Sequence, residues 1–213
     1  MDALRTFIAL GPLAVYLLLM GLVNVSRRPL LTTGSRDFYA LGIAVAGMMI
    51  VGPLELFMPD GASRPIAWML LLALYWMCLT LLILMIRPRL VIYNVTGEQL
   101  RQALAAALAR FRLEHRWAGD SLFLPELGVQ LNLEGFPAMR NVSLVATAAK
   151  QSYRGWLKLE RALVTELRSL TVQPQPLGYA LICLGLLTLG GCMTWMLMRP
   201  QEVVEGVFEL LRT

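Results

Sequence analysis

The chain has 213 residues, of which 57% are apolar and 15% charged, with a mean hydropathy of +0.62 and a formal net charge of +5. This excludes a wholly water-soluble domain, a fibrous chain and a disordered chain, because so much apolar surface with so few charges has to be buried in lipid or protein. The apolar residues gather into four runs, and of all the Asp, Glu, Lys and Arg residues only Glu55 falls inside one.

The first run, Phe7–Asn24, is long enough to cross a hydrocarbon core of about 30 Å at about 1.5 Å per residue. It follows a single basic residue, Arg5, exceeds the apolar length of a signal peptide and has no Ala-x-Ala site after it, so it reads as a retained first helix. The loop behind it carries Arg27, Arg28 and Arg36. Ser26-Arg27-Arg28-Pro29-Leu30-Leu31 has the look of a twin-arginine signal, but such signals open a chain, and here the arginines read as topology anchors.

The second run is Tyr39–Met58. Gly42, Ala46 and Gly47 form a small-residue face suited to helix packing, and Gly52-Pro53 predicts a kink. Glu55 is a candidate intramembrane acid, although three residues from the outer end of the run its carboxylate can reach water. A loop with Arg64 leads to the third run, Ile66–Ile86, after which Arg87 and Arg89 follow directly. The first and third runs are rich in bulky Leu, Ile and Met, as expected of lipid-facing or loosely committed surfaces. The positive-inside rule places the first loop and the segment after Arg87 in the cytoplasm, with both termini outside.

Residues 87–176 form a block large enough to fold alone. Leu90–Val95 is an apolar, β-branched run that reads as a strand buried on both faces. Thr96 and Gln99 make a capping-box pattern, followed by Leu100, Ala103, Leu104, Ala107, Leu108 and Phe111 at helical spacing. Alternation at Leu113/His115/Trp117, Leu122/Leu124 and Val129/Leu131/Leu133 reads as two or three short antiparallel strands, and Val142/Leu144/Ala146 as a further one. Trp156, Leu159, Leu163, Leu167 and Leu170 mark a second helix whose outer side bears Arg154, Lys158, Arg161 and Arg168. The order β-α-β-β-β-α predicts an α+β domain with two helices on one face of an antiparallel sheet. In general order it resembles small α+β modules of the ferredoxin-like sort, with the final strand missing and one strand more in the middle.

A stiff linker with Pro174 and Pro176 returns to the fourth run, Leu177–Met198, which carries Gly185, Gly190 and Gly191 as candidate packing positions. Tyr39, Trp68, Tyr179 and Trp195 stand near run ends, at the headgroup level such rings prefer. After Pro200, Val203, Val204, Val207, Phe208, Leu210 and Leu211 oppose Glu202, Glu205, Glu209 and Arg212, which predicts a short amphipathic helix on the outer membrane surface or against a partner.

Residues suited to chemistry are scarce. The one histidine, His115, lies in a predicted strand beside Glu114, so haem or metal ligation and nucleophilic catalysis lack their usual groups. Cys78, Cys183 and Cys192 all fall within the apolar runs and read as small buried residues. Asn94-Val95-Thr96 and Asn141-Val142-Ser143 match the glycosylation pattern by chance on this reading. The block's 12 basic against 7 acidic residues contain no basic run, which suits an ordinary solvated surface or anionic lipid headgroups better than nucleic acid.

These features predict a non-catalytic accessory, structural or assembly subunit of a larger complex in a bacterial inner membrane, with energy-converting, respiratory and photosynthetic assemblies among the candidates. It is expected to need no cofactor or metal, to bind other membrane subunits and lipids, and not to bind nucleic acid. One alternative is a small transporter or channel component that uses Glu55, and another is a membrane-embedded enzyme acting on lipid.

Overall fold

A computed structural model describes residues 3–54, 64–136, 140–148 and 150–211. The chain divides into two compact units: one of Met1–Gly21, Phe38–Met85 and Tyr179–Thr213, the other of Leu22–Asp37 and Ile86–Gly178.

The first unit is helical. Helices α1 (Ala3–Val25), α2 (Gly34–Met49), α3 (Arg64–Met85) and α6 (Pro176–Met198) account for the four apolar runs, and α7 (Pro200–Leu211) is the predicted amphipathic tail helix. Four segments are long and apolar enough to cross a membrane: Ala3–Val25, Gly34–Leu54, Ile66–Met85 and Pro176–Met198. The second begins five residues before the predicted Tyr39, because the polar Ser35, Arg36 and Asp37 break the apolar run without breaking the helix. Its far end, Ile50–Leu54, is a π-helical turn containing Gly52-Pro53, where the missing proline N–H disturbs the regular ladder as expected. The predicted continuation to Met58 lies outside the described residues.

α1 leaves Val15, Leu19 and Leu22 exposed and packs against two neighbours through its other side. Its buried Ala9 and Ala14 lie where Gly47 and Gly185 of the neighbouring helices approach the α1 backbone. The leucine-rich α3 leaves Leu70, Leu74, Leu82 and Leu84 exposed.

The second unit is a six-stranded antiparallel sheet in the order β1-β2-β6-β5-β4-β3. Its strands are β1 (Leu30–Thr33), β2 (Arg89–Tyr93), β3 (Arg116–Ala118), β4 (Ser121–Leu124), β5 (Val129–Phe136) and β6 (Asn141–Ala146). Six strands replace the four of the predicted β-α-β-β-β-α order. One addition lies in the middle of the block, where the alternations read as two or three strands form three, β3, β4 and β5; the other is β1, contributed by the loop between α1 and α2, which aligns Leu31 with Ile92 and Thr32 with Val91. Four residues next to an Arg-Arg-Pro sequence give too short a period to read as a strand. The other difference is local. His115 precedes β3 instead of lying in it, and β3 is exposed throughout, so its alternation does not mark a buried face.

Helices α4 (Gly97–Arg110) and α5 (Tyr153–Leu167) pack on each other and on one sheet face. Leu100, Leu104, Leu159 and Leu163 meet Ile92, Leu131 and Leu144 in one apolar core. The capping box forms: the Gln99 amide donates to Thr96 Oγ1 at 3.3 Å, and the Thr96 amide donates to Gln99 Oε1 at 3.1 Å. Ser152 caps α5 by accepting from the Gly155 amide at 3.1 Å. Gly155 has to be glycine, since a Cβ there would overlap the Leu127 carbonyl.

Candidate functional site

The predicted packing residues separate into filled and open positions. A Cβ on Gly42 would collide with the Leu79 side chain of α3, and Tyr75 of α3 donates its hydroxyl to the Gly42 carbonyl at 2.6 Å. A Cβ on Gly47 would collide with the Ile8 carbonyl oxygen of α1, and one on Gly185 would lie 2.8 Å from Leu18 and 3.0 Å from the Ala14 oxygen, also in α1. Ala46 is half-buried. Gly190 and Gly191, by contrast, have nothing within 4 Å among the described residues. Cys78 and Cys183 are exposed on the chain and only Cys192 is buried, so the expectation of three buried cysteines is corrected. Apolar helices that face outward carry their small residues outward as well.

The predicted topology anchors also part company. Arg27, Arg28, Arg36 and Arg87 are exposed. Arg89 is a residue of β2: it packs over Gly34, where a Cβ would overlap its stem, and stands 3.9 Å from Asp37. Asp37 also receives the Tyr93 hydroxyl, so the start of α2 is fixed to β2 by two side chains. Glu55 lies outside the described residues.

A polar clasp that the sequence did not announce ties three segments of the sheet unit together. Asn94, 1% exposed and in the left-handed region at φ 59°, donates its side-chain amide to the Ser26 carbonyl at 2.5 Å. The Val172 amide donates to the Arg27 carbonyl at 2.9 Å and the Gln175 amide to the Asn24 carbonyl at 3.0 Å. Arg140 accepts from the Val95 amide at 2.8 Å and donates from its guanidinium to the Gln173 carbonyl at 3.1 Å. The chain leaving α1 and the chain entering α6 are thereby bound to the turn between β2 and α4. Asn94 is therefore spent structurally, and its burial leaves no room for a glycan.

On the outer side of α5, Arg36, Arg161 and Arg168 border a depression of roughly 410 Å³ with Leu157, Val164 and Glu160. The sequence placed Arg36 in a loop and the other two on a helix face more than a hundred residues away, so nothing in their spacing signalled that they converge. Arg110 reaches Glu166 at 2.8 Å, Arg199 reaches Glu202 at 2.6 Å, and Arg101 pairs with Asp120.

The sheet face away from the helices presents Phe123, Gln130, Glu134 and Phe136, all exposed. His115 is exposed, with Nδ1 3.2 Å from the Leu113 carbonyl. Among the described residues no three His, Cys, Asp or Glu side chains converge as metal ligands would. In comparisons with known proteins, no family model, no curated protein and no solved structure matches the chain.

Proposed function

We propose that this protein is a non-catalytic accessory or assembly subunit of a larger complex in a bacterial inner membrane, held laterally by helix packing and docked by its sheet unit. The observation that carries this reading is the contrast among span glycines: Gly42, Gly47 and Gly185 are each filled by a helix of the same chain, while Gly190 and Gly191 of α6 are open. Small residues in a span let a second backbone come close, and in lipid that packing is the main source of helix association. An open pair on an otherwise leucine-rich helix suits a helix from another subunit.

Two further features support the same reading. At β4 and β5 the sheet face away from α4 and α5 is exposed, leaving Phe123 and Phe136 available to a partner. The tail helix α7 exposes Val204, Val207 and Phe208 on one side, a surface that fits a membrane interface or an adjoining subunit. The pairing of β1 with β2 supports a common side of the membrane for the first loop and the block after α3, and the arginines of that loop favour the cytoplasmic side.

Purification of the tagged full chain in mild detergent tests the proposal. Stoichiometric membrane partners are expected; a chain that runs alone and monodisperse overturns it.

A further inference from the structure

Arg36, Arg161 and Arg168 are exposed, border one depression, and form no ion pair among the described residues. Three guanidiniums against the single carboxylate of Glu160 leave the depression positive, a local field that favours an anion there. The Thr165 hydroxyl at its edge donates to the Arg161 carbonyl at 3.0 Å, so recognition rests on the arginines. A guanidinium offers paired N–H groups matched to two oxygens of a phosphate.

Location narrows the class of anion. Arg36 is the third residue of α2, and the segment Gly34–Leu54 is apolar enough to span a membrane. A basic residue at that point of a span lies at the level of the headgroups. Leu157 and Val164 supply an apolar wall beside the charges, and the exposed Arg154 and Lys158 continue the same face of α5.

We propose that this depression between the start of α2 and α5 binds the phosphate of an anionic phospholipid headgroup. The lipid then anchors the sheet unit at the membrane surface through α5, independently of any protein partner.

The test uses the full chain in a neutral detergent, with native mass spectrometry counting bound phosphatidylglycerol and phosphatidylcholine. The wild type is expected to prefer phosphatidylglycerol, and R36Q/R161Q/R168Q to weaken that binding by on the order of tenfold or more. A variant with equal charge loss at exposed sites elsewhere, R112Q/R116Q/K150Q, is expected to change it by less than about threefold. Should the triple groove variant not fold, Arg161→Gln alone is expected to weaken binding by about fivefold. Equal losses in the groove and control variants, or no preference between the two lipids, overturn the proposal. Inorganic phosphate binding as tightly as phosphatidylglycerol and displacing it assigns the site to a free anion and overturns the lipid assignment.

Discussion

Gly47 of α2 lies directly against the carbonyl oxygen of Ile8 in α1, so close that a Cβ at Gly47 would overlap that oxygen. Ile8 is four residues before Pro12, which has no N–H to donate to it, and α1 runs through this proline without a break. The contact therefore sets an α-hydrogen of Gly47 on a carbonyl that its own helix leaves unpaired, a weak C–H···O interaction of the kind found where helices approach closely. In hydrocarbon, where water cannot satisfy the oxygen, such a partner matters more.

Replacing Gly47 is expected to break this junction. Gly47→Leu should lower stability by about 1–3 kcal/mol through overpacking against backbone that cannot yield. Thermal unfolding of the full chain in detergent checks this. Gly52→Leu, at a position with nothing within 4 Å among the described residues, is the comparison and should shift the melting temperature far less.

Asn94 carries two burdens: a left-handed backbone and the hydrogen bond to Ser26. Asn94→Ala should cost about 2–4 kcal/mol, combining backbone strain of about 1–2 kcal/mol with a lost buried hydrogen bond. Asn94→Gly relieves the strain alone and should recover about 1 kcal/mol of that loss. Denaturant unfolding followed by tryptophan fluorescence separates the two variants, since Trp156 sits in the core of the sheet unit. Equal stability of the Ala and Gly variants would contradict the assigned backbone.

The strand supplied by the first loop can be tested chemically. Facing residues of an antiparallel pair have Cα atoms about 4.5–5.5 Å apart, within the span a disulfide bridges. Thr32→Cys with Val91→Cys should cross-link on mild oxidation, whereas Thr32→Cys with Tyr93→Cys, two residues out of register, should do so much more slowly. A gel-shift assay after proteolysis between α2 and β2 distinguishes these results.

Much of this architecture was legible from the sequence because it depends on local pattern. Four apolar runs announced four helices, Thr96 and Gln99 announced the start of α4, and Gly52-Pro53 announced the disturbed end of α2. What stayed hidden depends on contacts between distant segments. β1 is stabilised as a strand by β2, about sixty residues later, and its own four residues carry almost no periodic signal. That Arg89 packs over Gly34 and lies toward Asp37 follows from its place in β2, which its position after a span does not reveal. The exposed arginines of α5 were visible as a helical stripe, but not that Arg36 joins them. Gly42, Gly47 and Gly185 were legible as packing positions; which neighbour each would meet was not, since Gly47 and Gly185 both turn to α1, a helix of bulky composition.

Gly190 and Gly191 leave α6 open at a packing position, which under the proposed function receives a helix of another subunit. The most direct test is quantitative co-purification of partners in mild detergent with the wild-type chain and with G190L/G191L. The account predicts stoichiometric partners with the wild type and at least a tenfold loss with the variant, on the order of 1.4 kcal/mol of association energy, with the melting temperature of the chain itself unchanged. Partners retained in full by the variant, or a wild-type chain that purifies alone, would contradict it.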